Sequence, residues 1–165
     1  MMSIARIAAL GACAVGVWVT VAAQLPSHVR LPVAAVVADA VVSQPFGCTN
    51  FALEPIDPFC PGGHIHTGID LAAREGTEVH AATGGIARVA FDPNGCGLYV
   101  AVTFDAHVRI LYCHLSATRV VANETVTAGE LIVLVGATGH ATGPHVHFEI
   151  QVDGVAVDPV RWLSS

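Results

Sequence analysis

The sequence contains no lysine: all seven of its basic side chains are arginines, set against thirteen acidic ones. Only 12% of its residues are charged and only 6% are aromatic. The formal net charge is -6 with histidines neutral, and no basic cluster stands out. A nucleic-acid-binding surface gathers Arg and Lys on one face, so nucleic acid is set aside as a partner. No C-x-x-C pair occurs, which counts against a thiolate metal site. Apolar residues do not recur at helical spacing over any stretch long enough to require a helix. There is no internal repeat and no low-complexity tract. With 53% hydrophobic residues, the chain is also far from the composition of a disordered one.

One long apolar run is present. Arg6 precedes an almost unbroken apolar stretch over residues 7–23. Its 17 residues are at the short edge for a bilayer span and long for a signal-peptide core. Val21-Ala22-Ala23 offers small residues before a cut at Gln24. An uncleaved anchor is the alternative, and Leu10-Gly11-Ala12-Cys13 loosely resembles a lipoprotein box. All three place the remaining chain outside the cytoplasm, whether secreted, periplasmic or on the cell surface. Residues 1–23 are therefore read as a signal peptide or membrane anchor and 24–42 as a linker. Pro26 and Pro32 break that linker, and residues 33–42 either extend or coil back. Residues 43–165 form one domain, expected to be a monomer that meets a membrane only through an uncleaved 1–23.

Of the five cysteines, Cys13 lies in the leader. Cys48, Cys60, Cys96 and Cys113 remain, and an even number in an exported domain predicts two disulfides. Four cysteines allow three connectivities. Cys48–Cys60 with Cys96–Cys113 is favoured, because each pair brackets one local segment.

From Ser43 onward, short apolar stretches are cut by Gly, Pro, Asn and Asp, the texture of an all-β domain. Strands are expected near residues 77–81, 85–91, 98–104, 108–114, 131–135 and 146–152. Asp92-Pro93-Asn94-Gly95 and Asp153-Gly154 are turn signals, and Asp105-Ala106-His107 reads as a tight hairpin connection.

Nine histidines stand in the chain, and three clusters matter. In His64-Ile65-His66-Thr67-Gly68-Ile69-Asp70, His66 and Asp70 are four apart. On a straight strand that is roughly 13 Å, too far for one metal, so a bend is required and Gly68 permits it. Alone, such a pair in a loop is more often simply solvated. In Gly143-Pro144-His145-Val146-His147-Phe148-Glu149-Ile150, strand alternation puts His145, His147 and Glu149 on one face and Val146, Phe148 and Ile150 on the core face. Glu149 is placed either to bond the outer nitrogen of a ligand histidine or to pair with an arginine in the sheet. In Leu111-Tyr112-Cys113-His114-Leu115, His114 ends an apolar strand, where a hydrogen-bonded core histidine is the commoner arrangement. Together the clusters supply three metal ligands and spare histidines. Catalytic zinc needs three protein ligands and an open position for water, whose pKa the metal lowers toward neutrality.

In this combination the sequence resembles the lysostaphin/LytM-type zinc endopeptidases, which act on bacterial cell-wall peptidoglycan. The resemblance runs from about Ser43 to Leu163. It is carried by Gln44-Pro45-Phe46-Gly47, His66-Thr67-Gly68-Ile69-Asp70-Leu71, Gly76-Thr77, Ala81-Ala82-Thr83-Gly84-Gly85, Tyr112-Cys113-His114-Leu115, residues 136–149, Asp158-Pro159 and Trp162-Leu163. It implies a compact, mainly antiparallel β domain with one zinc ion in a groove, held by His66, Asp70 and His147. It implies His145 as general base, with His114 stabilising the oxyanion or sharing the proton work. It also implies peptidoglycan stem or cross-bridge peptides as partners. His64, His80, His107 and His140 match no position the family needs and are expected at the groove rim or surface. The Cys48–Cys60 loop is expected to wall one side of the groove. The turn at residues 105–108 is shorter than usual for the family, Cys113 stands where a small residue is common, and a bond to Cys96 would account for both. No separate wall-binding domain is visible. A non-enzymatic module on the same fold, which would typically have lost some of these five residues, and a peptidase acting on other peptides are the competing functions.

Overall fold

A computed structural model describes residues 29–165. The expected leader, the first part of the linker and Cys13 lie outside the described residues. Among the described residues no helix is long and apolar enough to cross a membrane.

The regular structure of the described chain is nearly all antiparallel strand. It begins with a short helix α1 (Val33–Val36) and strands β1 (Val41–Gln44), β2 (Gly47–Thr49), β3 (His64–His66), β4 (Ile69–Ala72) and β5 (Glu78–His80). The long strands β6 (Gly85–Asp92), β7 (Gly97–Thr103) and β8 (Val108–Leu115) follow. Then come β9 (Ala117–Thr118), β10 (Thr125–Val126), β11 (Leu131–Leu134), β12 (His145–Val152), β13 (Val155–Val157) and a helix α2 (Pro159–Leu163). The main sheet has the order β1-β4-β12-β8-β7-β6-β10, with β13 also paired to β12. A three-stranded sheet β5-β11-β9 and a ribbon β2-β3 complete the domain.

All six expected strands are present, within one residue at each end. The remaining strands have four residues or fewer, too short for alternation to show. The two helices have four and five residues, too short for a helical period. The second is fixed locally: the Asp158 carboxylate accepts from the N–H groups of Val160 and Arg161, and Pro159 follows the cap. The turns read from sequence close as expected. Asp105 Oδ1 accepts from the backbone N–H of both His107 and Val108 (2.8 Å each). Asp153 and Gly154 take φ of 50° and 80°, the left-handed pair that joins β12 to β13.

One hydrophobic cluster joins the two larger sheets. Ile110, Tyr112, Phe148 and Ile150 of the main sheet pack with Val79, Ile132 and Val133 of the small one. The linker contributes to it as well. The sequence left residues 33–42 free to extend or coil back, and they coil back. Val36 and Val37 are buried in the same cluster, and Leu31 N–H donates to the Ala82 carbonyl (2.8 Å). The Arg30 guanidinium stacks 3.8 Å over the Trp162 ring and donates to the Trp162 carbonyl (3.1 Å). Residues 30–37 thus belong to the packing of the domain. Val36→Ala should lower unfolding free energy by about 2 kcal/mol in a denaturant titration, from lost burial and the cavity left. An unchanged midpoint would mean that this segment is only a tether.

Candidate metal centre and groove

Strand register brings the site together. Asp70 of β4 lies directly opposite His147 of β12, and cross-strand partners point to the same face. His145, His147 and Glu149 are each partly exposed along β12, while Val146, Phe148 and Ile150 are fully buried. The alternation read from sequence therefore holds residue for residue.

His66 reaches the same point by the bend at Thr67-Gly68, between β3 and β4. Gly68 does not have a positive φ; what it provides is room. A Cβ there would come within 2.5 Å of the Phe148 carbonyl oxygen and 2.9 Å of His147 Cε1. The bend that joins His66 to Asp70 is thus pressed against the strand carrying His147.

The three donors converge. His66 Nε2 lies 3.1 Å from Asp70 Oδ1 and 2.9 Å from His147 Nδ1, which is itself 3.1 Å from Asp70 Oδ1. Among the described residues these three form a group able to hold a metal ion. The hydrogen bonds behind them decide what the converging atoms are. His66 Nδ1 donates to the Pro45 carbonyl (2.9 Å), so its proton is there and Nε2 is a bare lone pair. His147 Nε2 faces the Glu149 carboxylate (3.3 Å), which fixes the proton on that side and leaves Nδ1 bare. Two imidazole lone pairs and a carboxylate oxygen, all within about hydrogen-bond distance, repel one another unless a cation lies between them. The donor set therefore fits zinc, which takes imidazole nitrogen and carboxylate oxygen. A proton meets the same need in the bare protein. Burial disfavours charge on His147, but its bonds to Asp70 and Glu149 outweigh burial and raise its pKa to about 9. For Asp70, burial opposes ionisation, yet the adjoining His147 and His66 rings hold its carboxyl well below the usual range.

Glu149 is itself anchored. Thr67 Oγ1 donates to Glu149 Oε2 (2.6 Å) and Gln151 Nε2 to Oε1 (2.5 Å). Of its two sequence readings, a bond to a histidine of the H-x-H strand, His147, is the one present, and it orients that ring and raises its basicity.

His114 reaches the groove by an irregularity. Leu98 pairs with Leu115 and Val100 with Tyr112, so Cys113 and His114 together face the single residue Tyr99. This two-against-one bulge turns His114 off the core face it would share with Tyr112. Its φ is 64°, a left-handed conformation costing about 1–3 kcal/mol for a residue with a side chain. The ring centroid lies 4.7 Å from that of His145. Both rings are tethered alike. His114 Nδ1 donates to the Thr138 carbonyl (2.9 Å) and His145 Nδ1 to the Gly143 carbonyl (2.8 Å). Each therefore carries a bare Nε2, and that of His145 lies 3.7 Å from Asp70 Oδ1. Burial lowers the His114 pKa to about 4, helped by the neighbouring histidines and opposed by its Thr138 bond.

A groove of about 300 Å³ contains Asp70, His114, His145, His147 and Glu149. Phe51, Leu53 and Glu54 of the Cys48–Cys60 loop form one wall, as expected, and Asn94 to Cys96 lie along the rim with His140. Both favoured disulfides, Cys48–Cys60 and Cys96–Cys113, are present. His107 stays in its exposed turn, bonded to Asp153 (2.6 Å), and His64 Nδ1 donates to the Glu54 carbonyl (2.7 Å). Sequence reasoning missed Thr67 and the carbonyls of Pro45, Thr138 and Gly143. A carbonyl that fixes a tautomer has no side-chain signature.

The profile of peptidase family M23 matches residues 64–159. The DD-carboxypeptidase/endopeptidase Mpg of Neisseria meningitidis serogroup B is 40% identical over 119 residues, covering 72% of this chain and 26% of that protein. The peptidoglycan DD-endopeptidase ShyC of Vibrio cholerae is 32% identical over 111 residues, covering 67% of this chain and 26% of that protein. The catalytic domain of the antimicrobial peptidase lysostaphin from Staphylococcus simulans superposes with a TM-score of 0.63 at 30% identity, covering 76% of this chain and 93% of that one. The chain spans about a quarter of the length of the two curated relatives.

Gly68→Ala should leave the chain folded but push His147 away from the other donors, weakening zinc about 10–100-fold in a competition titration. Undiminished affinity would show that the close approach at Gly68 does not set the site.

Proposed function

Because the chain belongs to peptidase family M23, we propose that it is a zinc-dependent endopeptidase hydrolysing peptide bonds of bacterial cell-wall peptidoglycan. One observation carries this reading: three converging lone pairs on His66, Asp70 and His147 stand beside two further imidazoles with bare Nε2 atoms. A non-enzymatic module would need only the fold. The name of the Vibrio cholerae relative supports peptidoglycan as the substrate, and such a substrate requires the domain to act outside the cytoplasm.

In this reading His66, Asp70 and His147 hold the ion. Zinc there supplies Lewis-acid polarisation and makes water a usable nucleophile near neutral pH. The remaining chemistry belongs to the chain. His145, with Nδ1–H held by Gly143 and Nε2 free near Asp70, accepts the proton of the attacking water and returns it to the leaving amine. His114 is held in the same tautomer, so at rest it too can accept but not donate through Nε2. It stabilises developing negative charge only after taking up a proton, which its buried position makes strongly acidic. Its first task is therefore to share the proton with His145. Glu149 and Thr67 hold the His147 ring, and Pro45 holds that of His66. The Phe51 and Leu53 side of the groove excludes water from one flank of the substrate.

The test is a digest of purified cell wall by the zinc-loaded protein, with fragments identified by mass spectrometry. Wild type should release peptide fragments. His145→Ala and His114→Ala should keep zinc and lose about 100-fold or more in turnover, and His66→Ala or Asp70→Ala should lose both. Zinc-loaded protein that leaves every wall type intact would refute the proposal. Cleavage of free peptides alone would reassign the substrate.

A further inference from the structure

The left-handed bulge at His114 persists only because its surroundings over-determine it, and those surroundings meet at one covalent bond. His114 N–H donates to the Cys96 carbonyl (2.7 Å), and the residue before it, Cys113, is bonded through sulfur to Cys96. Cys96 lies in the turn between β6 and β7, and that turn is tied in its own right to residues 138–140. Leu98 N–H donates to Thr138 Oγ1 (3.0 Å), His140 N–H to the Gly95 carbonyl (2.9 Å), and Thr138 Oγ1 to the Leu115 carbonyl (2.8 Å). Thr138 in turn supplies the carbonyl that fixes the His114 ring. The backbones are in direct contact: a Cβ on Gly97 would strike Thr138, and one on Gly139 would strike Gly95 and Gly97. Both partners of His114 thus belong to one small unit, residues 95–98 with 138–140, and the Cys96–Cys113 bond clamps that unit to β8 at the bulge.

We propose that the Cys96–Cys113 disulfide is a positioning element for the proposed reaction, acting through His114 by holding the bulge that turns this ring into the groove. The inference rests on the role proposed for His114. The converging donors lie on β3, β4 and β12, none of them within the clamped unit. Opening the disulfide should therefore separate two properties that a general loss of structure would take together: metal binding persists and turnover falls. Without the sulfur bridge, Cys113 and His114 can relax toward regular pairing with β7, which directs the imidazole away from His145. A displacement of about 1 Å is enough to cost about 100-fold in rate.

The experiment uses the full chain with Cys96→Ala and Cys113→Ala together, studied at a temperature where it is folded. Residue-resolved amide hydrogen exchange, zinc titration and steady-state wall-peptide hydrolysis are compared with wild type. Protection of the His114 amide should fall about tenfold or more, while the Ile110 and Phe148 amides keep theirs. Zinc affinity should stay within about twofold, and kcat should fall about 100-fold with KM little changed. If the double variant does not fold, Cys48→Ala with Cys60→Ala, which leaves the Cys96–Cys113 bond in place, is compared before and after reduction by a phosphine in the same measurements. A His114 amide that stays protected once the bond is open overturns the proposal, as does an unchanged kcat. Exchange does not depend on hydrolysis. A wild type that binds zinc and cuts nothing removes the parent reading, and the His114 amide still decides whether the disulfide holds this residue.

Discussion

Two imidazole lone pairs and a carboxylate oxygen, held within 3.1 Å of one another, are the interaction on which the rest of this domain depends. Such an arrangement is unfavourable in itself. It exists because each donor is fixed from behind: Pro45 holds His66, Glu149 holds His147, and strand pairing sets Asp70 opposite His147. The cation that relieves the repulsion is then specified by geometry rather than by overall charge. The raised basicity of His147 reflects the same demand for positive charge, and the three atoms suit zinc.

A similar device repeats at the two remaining histidines. A backbone carbonyl takes the Nδ1 proton of His114 and of His145, so both present an acceptor and neither presents a donor. This favours proton removal as the resting competence of the groove. Burial reinforces it at His114, whose neutral form is strongly preferred. The groove thus gathers imidazole acceptors beside a donor group that fits a metal ion, walled on one side by a disulfide-closed loop.

Much of this was legible in the sequence, for definite physical reasons. Strand parity put His145, His147 and Glu149 on one face, because period-two alternation survives tertiary context when the opposite face is Val, Phe and Ile. Local bracketing pointed to both disulfides. The four-residue gap from His66 to Asp70 demanded a bend, and the bend is there. The reason for Gly68 was less accessible, since the clash it avoids involves Phe148 and His147, some eighty residues away in sequence. His114 defeated parity altogether. Parity would put its neighbours Tyr112 and Leu115 on opposite faces, yet both are buried in the main cluster, and the bulge, a property of pairing with β7, shifts Leu115 inward and sends the His114 ring into the groove. The burial of Val36 was likewise hidden, because a four-residue helix behind a proline has no periodicity to read.

The central claim is that His66, Asp70 and His147 together form the zinc site, and X-ray absorption at the zinc edge of the loaded protein tests it most directly. The account predicts a first shell of nitrogen and oxygen alone, at about 2.0–2.2 Å, with outer-shell scattering from two imidazole rings. A sulfur shell near about 2.3 Å, or scattering from three or more imidazoles, would contradict it.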